Sequence, residues 1–270
     1  MSVGYHIVVC AGIVPDPLQT LEPVQGPAGF ALKNEMMLPA VLDTWASTAL
    51  YNAFHLAKQH SGTRVWLVSA APRAKLQQVL MSVGQKGSFE LIPIDCQASG
   101  FVDSYELGEL LADTIKGIHG LNTNRLLIFG GWESGSRSSG TTLQVIAEKL
   151  EIRDVFMGVD ELQVLGDGAI EVLERVEGGK HLRSRCSAPP IVVGWATGNL
   201  PEPPNNPQIG MQNMRWIMPA LQKAKIASLT TRELKVLEAS LPTQLRDTRV
   251  VRDMTPDQIA QELVEWILKK

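Results

Sequence analysis

The chain has 270 residues, of which 44% are hydrophobic and 20% are charged, and its formal net charge is −3. This length is enough for one large or two small domains with a sizeable core. The balanced charge excludes the basic field typical of nucleic-acid binding and the polybasic patch that attracts a protein to an acidic membrane.

Cysteine usage and the N-terminal residues indicate the compartment. Cys10, Cys96 and Cys186 are odd in number and far apart, which favours a reducing environment over a disulfide framework. The first residues have no positive region before their apolar run, so we expect no signal peptide. Apolar runs are too short to cross a bilayer, and the five histidines show no metal-ligand spacing.

The first half of the chain alternates between two patterns. Short apolar runs that end at turn residues predict buried strands at 6–14, 64–69, 89–94 and 125–129. Apolar residues at helical spacing predict helices at 43–58, from Pro72 to Gly84 or Gly87, at 104–118 and from Thr142. Residues 18–40 are rich in Pro, Gly and Gln and predict a long loop or a weak hairpin. The alternation predicts an α/β fold with a doubly wound, mostly parallel, Rossmann-like sheet.

The second half begins with a different pattern. Segments 159–165, 169–176 and 181–186, separated by glycines, predict antiparallel hairpins, and 189–195 predicts a return to a buried strand. Residues 199–207 are too rich in proline for regular structure, and 209–220 should be partly helical. Capping boxes at 230–233 and 255–258 predict two further helix starts.

The domain organisation follows from this change of pattern. Residues 1–220 are predicted to form one α/β domain with a hairpin insertion at about 159–186, and 221–270 a C-terminal arm. The last helix carries Ile259, Leu263, Val264 and Ile267 on one face. This face either docks on another protein or packs back on its own domain, and the sequence favours neither.

The stretch 125–142 is the leading candidate for a site. A buried strand, a glycine-rich turn and a helix start form the arrangement that holds phosphate at a helix N-terminus. Hydroxyl groups of Ser136, Ser138, Ser139 and Thr141 could donate hydrogen bonds, and Arg137 could neutralise charge. The turns at 10–17, 69–72 and 130–142 should share one sheet edge, where a small ligand could contact all three. An ordinary polar loop explains the same residues equally well.

Several motifs in fixed order resemble the β subunit of electron-transfer flavoproteins. They include 7–16 (IVVCAGIVPD), 49–56 (ALYNAFHL), 68–72 (VSAAP), the helix end at 80–84, 174–179 (ERVEGG), 189–193 (PPIVV) and 217–220 (IMPA). Each match is short, but the shared order and spacing cover nearly the whole chain.

The resemblance implies a heterodimer with a larger α subunit that carries most of the FAD site. Such a chain carries electrons from a partner flavin dehydrogenase to an acceptor and is not itself an enzyme. It also implies a second nucleotide, AMP or a second FAD, in the β subunit. Cytoplasm, or the mitochondrial matrix of a eukaryote, is the implied location, without nucleic acid or direct membrane insertion.

Site residues are implied position by position. The nucleotide would contact Cys10, Asp43, Ala70, Gly130, Ser136, Arg137, Ser138, Ser139, Gly140 and Thr141. Val14, Asp16 and Pro17 would line the flavin, and Met211, Met214, Trp216 and Met218 lie where the family recognises its dehydrogenase. Methionine and tryptophan at helical spacing are also common in cores.

The nucleotide loop departs from the family pattern. Gly130 is kept, but Trp132 replaces a Gln, Gly135 and Arg137 replace two Asp residues, and Gly140 replaces a later Gln. Asp43 replaces an Asn. Because Arg137 replaces acidic charge in this loop, the sequence does not determine what the second nucleotide site holds. AMP, a second FAD and no nucleotide all stay open.

Two other functions are alternatives to this one. An ATP-pyrophosphatase needs a Ser-Gly-Gly-x-Asp-Ser loop after the first strand, which residues 10–15 do not supply. A nucleotide sensor of the universal-stress type would not need the hairpin at 159–186 or the C-terminal arm. The sequence contains no nucleophile with a neighbouring base and no paired carboxylates in a plausible cleft.

Overall fold

A mostly parallel sheet forms the centre of the molecule. The computed structural model describes residues 4–26, 29–96, 102–135, 140–229, 240 and 250–268. Within these ranges the strands are β1 (His6–Cys10), β2 (Ile13–Pro15), β3 (Pro23–Gly26), β4 (Gly29–Leu32), β5 (Ala40–Leu42), β6 (Arg64–Ala71), β7 (Glu90–Asp95), β8 (Leu126–Gly131), β9 (Asp154–Val164), β10 (Ile170–Val176), β11 (Lys180–Cys186), β12 (Ile191–Trp195) and β13 (Lys225–Ile226). The α-helices are α1 (Thr44–Gln59), α2 (Arg73–Val83), α3 (Ser104–Lys116), α4 (Thr142–Lys149), α5 (Pro207–Gln222) and α6 (Pro256–Leu268).

The main sheet confirms the predicted α/β fold. Its nine described strands follow the order β11-β10-β9-β12-β8-β1-β6-β7-β13. β1 pairs in parallel with both β6 and β8, and β12 pairs in parallel with β8 and β9. Strand order therefore reverses between β1 and β8, and ligands of such sheets bind beyond the carboxyl ends of the strands at this reversal.

The predicted antiparallel hairpins are also confirmed. β9, β10 and β11 form a three-stranded antiparallel extension of the main sheet. β9 starts at Asp154, earlier than the predicted 159, because its first half continues the parallel sheet beside β12. β3 and β4 pair as a separate small antiparallel sheet, which agrees with the weak hairpin that was one of the two alternatives predicted for 18–40.

Two cores lie on opposite faces of the sheet. Ile7, Val9 and Phe129 belong to the face covered by α1 and α2, whereas Val8 and Ile128 belong to the face covered by α3 and α4. Successive side chains of a strand point to opposite faces. Because both faces are covered, apolar residues follow one another along the central strands, as in Ile7–Val9 and Leu126–Phe129, which explains these runs in the sequence.

α5 is helical throughout, where the sequence predicted only partial helix. Asn206 caps it by accepting hydrogen bonds from the backbone N–H groups of Gln208 at 3.0 Å and Ile209 at 3.4 Å. Buried Asn213 donates from Nδ2 to the carbonyl oxygens of Gly84 at 2.7 Å and Gly87 at 2.8 Å. These hydrogen bonds to the end of α2 stabilise α5 through tertiary contacts, which its Met-rich composition does not predict.

The C-terminal residues leave the sheet after β13, which is its last described pairing. The capping box at the start of α6 is present, since Thr255 N donates to Gln258 Oε1 at 2.9 Å and Gln258 N to Thr255 Oγ1 at 3.4 Å. The capping box predicted at 230–233 lies outside the described residues. No residue of α6 is buried against the described part of the chain.

Candidate functional site

The predicted turns meet at one edge of the sheet. Cys10 at the end of β1 lies beside Gly130 at the end of β8, and β6 continues on the other side of β1 to Ala70 and Ala71. The buried hydroxyl of Ser69 donates to the carbonyl oxygen of Ala11 at 2.7 Å and fixes the turn after β1. Three of the residues predicted to contact the nucleotide thus lie together at the carboxyl ends of adjacent strands, next to the reversal of strand order. They are Cys10 of β1, Ala70 of β6 and Gly130 of β8.

Asp43 links the N-terminus of α1 to the loop after β8. Its Oδ1 accepts from the backbone N–H of Trp45 at 3.2 Å, and its Oδ2 from that of Gly135 at 2.8 Å. The residue is only 6% exposed. Because this carboxylate already occupies the N-terminus of α1, a phosphate at the same position would be repelled.

The neighbouring helix N-termini differ in how they are capped. Asp95 Oδ1 accepts from the first N–H of α2, at Arg73, at 3.0 Å, and Asp103 Oδ1 accepts from Tyr105 N in α3 at 2.9 Å. Thr141, the N-cap of α4, makes no side-chain cap to the described backbone. Its hydroxyl instead lies 2.6 Å from that of Ser104. Of the four helix N-termini at this edge, that of α4 is the one that no carboxylate caps among the described residues, and it is therefore the one suited to an anion.

The glycines of the loop are required by packing within the protein. A Cβ on Gly131 would lie 2.5 Å from Trp45 Cβ, and one on Gly140 would lie 2.1 Å from the carbonyl oxygen of Trp132. A Cβ on Gly130 would lie 3.0 Å from the side chain of Leu143. The loop therefore folds back on itself, so its glycine content alone does not indicate a ligand.

Two tryptophan side chains also form part of this edge. The sequence interpretation did not predict that they would be in contact. Trp45 and Trp132 pack edge to face with ring centroids 6.4 Å apart. Trp132 also donates its backbone N–H to the carbonyl oxygen of Trp195 at 3.0 Å. Their separation in sequence gave no signal that they would meet.

Ser136, Arg137, Ser138 and Ser139 lie outside the described residues, so their predicted phosphate contacts stay predictions.

Cys10 contributes a neutral group to this edge. Its side chain is buried, and burial raises the pKa of the thiol to about 12. At neutral pH the thiol is therefore protonated, which does not suit a nucleophile or a metal ligand.

The predicted flavin-side residues lie around β2. Val14 pairs with Val41 of β5, and Pro17 is exposed. Asp16 Oδ1 accepts from Leu18 N at 3.0 Å, and its Oδ2 accepts from Gln19 Nε2 at 3.3 Å. The carboxylate of Asp16 thus stabilises its own turn, and the exposed groups nearby are Pro17 and Leu18.

The predicted recognition residues divide between surface and core. Met211 is 65% and Trp216 68% exposed, whereas Met214 and Met218 are half-buried. Met218 packs against the core. Met211 and Trp216 are therefore the members of this set available to a partner.

A charge cluster around one buried carboxylate, which the sequence interpretation missed, lies in the antiparallel extension. Asp160 accepts from Arg175 Nε at 3.0 Å and Nη2 at 2.7 Å, lies 3.0 Å from His181 Nε2, and accepts from Gly198 N at 3.3 Å. Burial of Asp160 raises its pKa, but hydrogen bonds from Arg175, His181 and Gly198 outweigh burial and hold the pKa below its usual value. The cluster ties the hairpin to the loop after β12.

The described residues contain no group of His, Cys, Asp and Glu side chains arranged to hold a metal ion. Within the same ranges, every helix is too short or too polar to cross a bilayer.

No protein-family model matches the chain, and a search of curated proteins gives no match.

Proposed function

We propose that this chain is the β subunit of a heterodimeric electron-transfer flavoprotein and that it binds one AMP at the carboxyl edge of its sheet. In this role it would complete the FAD site of a larger α subunit and carry electrons from a flavin dehydrogenase to an acceptor. FAD supplies the redox chemistry when it is bound, and the chain would supply exposed wall residues, Pro17 foremost.

The exposed face of α6 is the observation that carries the proposal. Ile259, Leu263, Trp266 and Ile267 are spaced along one face of the helix, and each is between 46% and 70% exposed. The α/β domain buries its own core without them. A helix that leaves such a face in water is expected to bury it in another chain. A monomeric nucleotide sensor would have no use for this helix, which disfavours the alternative function.

The helix N-termini favour AMP over a second FAD. α4 offers donors to one phosphate, whereas the N-termini of α1, α2 and α3 are occupied by Asp43, Asp95 and Asp103. A single phosphate fits beside α4, but the second phosphate of a dinucleotide would meet carboxylates.

Co-expression tests the proposal directly. The chain is produced with candidate α subunits, the complex is purified, and released nucleotides are identified by mass spectrometry after denaturation. We expect a yellow heterodimer that contains one FAD and one AMP. A nucleotide-free, monodisperse monomer with every candidate α subunit would contradict the proposal, and two FAD per complex would contradict its AMP part.

The variant Arg137→Ala tests the predicted phosphate contact. A guanidinium bound to phosphate contributes about 1.5–3 kcal/mol as a charge-assisted hydrogen bond, so AMP should dissociate roughly tenfold to a hundredfold more readily. Arg153→Ala is the matched control, because Arg153 is an exposed arginine beyond α4. AMP retention that is equal in the two variants would remove Arg137 from the site, while FAD content reports separately on the heterodimer.

A further inference from the structure

β9 continues past the end of its parallel partner. The last residue of β12, Trp195, pairs with Val159, and Ala196 N donates to the carbonyl oxygen of Val159 at 2.8 Å. Residues 160–164 then extend beyond β12, and within the described chain residues 161–164 have a ladder partner only in β10. The side of β9 that faces β12 is therefore an open strand edge from the point where β12 ends.

The hydrogen-bond pattern identifies the residues that form this edge. Leu165 N donates to the carbonyl oxygen of Ala169 at 2.8 Å, which marks a hydrogen-bonded pair between β9 and β10. Such pairs alternate along an antiparallel ladder, so Gln163 bonds toward β10 as Leu165 does. Leu162 and Val164 consequently direct their N–H and C=O groups away from β10, toward the side that β12 has left.

A groove runs beside this edge. Its volume is about 440 Å³, and α1 forms its other wall. The lining residues are Asn52, Leu56, Gln59, His60, Phe129, Asp160, Glu161, Leu162, Gln163, Val164, Trp195, Asn199 and Leu200. Phe129, Trp195 and Leu56 are buried apolar groups, whereas Gln59, Gln163 and Asn199 are exposed. The groove thus has an interior that is apolar apart from the buried side chains of Asn52 and Asp160, and it has a polar rim.

The groove matches an extended peptide. Four strand residues span about 13 Å, which is the length of the open edge from Glu161 to Val164. Alternate side chains of an added strand would point to the apolar interior and to the rim. The charged lining residues, Asp160 and Glu161, are both acidic, and Arg175 already balances Asp160. Glu161 leaves the rim negative and so favours a basic segment.

We propose that this groove binds an extended, basic segment of a partner protein, which adds to the edge of β9 beside Leu162 and Val164. The backbone groups of these two residues supply the hydrogen bonds, and the apolar interior selects alternate side chains of the segment. The inference does not depend on the proposed redox function, since the groove is separate from the carboxyl-edge site.

Amide hydrogen exchange followed by NMR on the full chain tests the open edge. In the free protein, the N–H groups of Leu162 and Val164 should exchange at least about tenfold faster than that of Gln163, which is bonded to β10. Equal protection of all three amides would mean that the edge is covered, and would overturn the proposal.

A peptide probe tests the binding. The probe is the blocked heptapeptide Lys-Val-Thr-Val-Thr-Val-Lys at about 1 mM, a concentration suited to weak binding. We expect it to slow exchange at Leu162 and Val164 about tenfold, and a matched peptide with Pro in place of both Thr residues to have no effect. An absence of slowing, or equal slowing by the proline peptide, would overturn strand addition.

Charge reversal tests the chemistry of the segment. Glu161→Lys should weaken binding of the lysine-flanked probe several-fold and improve binding of a glutamate-flanked one. Glu148→Lys is the control, because it makes the same charge change at an exposed position on α4. Equal binding to wild type and to the Glu161 variant would overturn the preference for a basic segment.

Discussion

Deletion of residues 255–270 is expected to weaken binding to the α subunit on the order of a hundredfold while leaving the melting temperature of the α/β domain almost unchanged. The exposed face of α6 carries Ile259, Leu263, Trp266 and Ile267. Full burial of one such side chain contributes about 1.5–3 kcal/mol, and ordering of the arm offsets much of the total. A net loss of about 3 kcal/mol corresponds to the expected change in affinity.

The measurement compares the two quantities directly. Affinity of the full and truncated chains for the α subunit is measured by titration calorimetry, and domain stability by thermal unfolding of each chain alone. Leu263→Asp should reproduce most of the loss of affinity, whereas Gln261→Ala, on the opposite side of the helix, should not. Loss of domain stability with unchanged affinity would instead show that α6 packs on its own domain.

Asp160→Asn is expected to lower the free energy of unfolding by about 2 kcal/mol. The carboxylate accepts hydrogen bonds from Arg175 and Gly198 and contacts His181, and it is only 5% exposed. An amide of the same shape lacks the charge and presents a donor to Arg175. The cost is kept below that of a fully buried pair because the side chain of Arg175 is 43% exposed.

The pH dependence gives this prediction a second measurement. The pKa of Asp160 is lower in the folded chain than in the unfolded chain, because Arg175, His181 and Gly198 favour the carboxylate. Its contribution is therefore complete above the unfolded pKa of about 3.9 and is lost as the pH falls through the folded pKa. In urea titrations, the difference between wild type and Asp160→Asn should be constant near pH 7 and shrink below about pH 4.

A surface carboxylate provides the control for Asp160. Within the part of the chain that the structure describes, Asp113 pairs only with Lys116 at 4.0 Å, and its side chain is 72% exposed. Asp113→Asn should change stability by less than about 0.5 kcal/mol. Equal effects of the two substitutions would mean that the cluster around Asp160 contributes nothing beyond an ordinary surface charge.

Many of the strands and helices, and caps formed by residues of the same helical turn, could be predicted because their signals are local. The apolar runs within β1, β6 and β8 indicate burial on both faces, and apolar residues at helical spacing indicate the amphipathic helices. Asp43 and Thr255 mark helix starts through hydrogen bonds to residues two or three positions away. Such bonds span a single turn, so neighbouring residues suffice to predict them.

The site at the carboxyl edge was only partly predictable. The sequence located the loop after β8 and its approach to the ends of β1 and β6. It did not indicate that Asp43 would bind Gly135, 92 positions away, or that Asp95 would cap α2 and leave α4 as the uncapped neighbour. These contacts depend on which strands lie side by side, and strand order is set by packing between distant segments.

The sequence by itself determined an α/β chain with a glycine-rich loop, antiparallel hairpins and an amphipathic last helix, because hydrophobic periodicity and capping act over a few residues. Only the tertiary structure decided that β8 lies beside β1 and that Asp160 contacts Arg175 and His181. It also decided that β9 extends beyond the end of β12, which leaves an open strand edge on β9. Each of these features joins segments far apart in the chain. Their positions follow from burial of two cores at once, which no local pattern encodes.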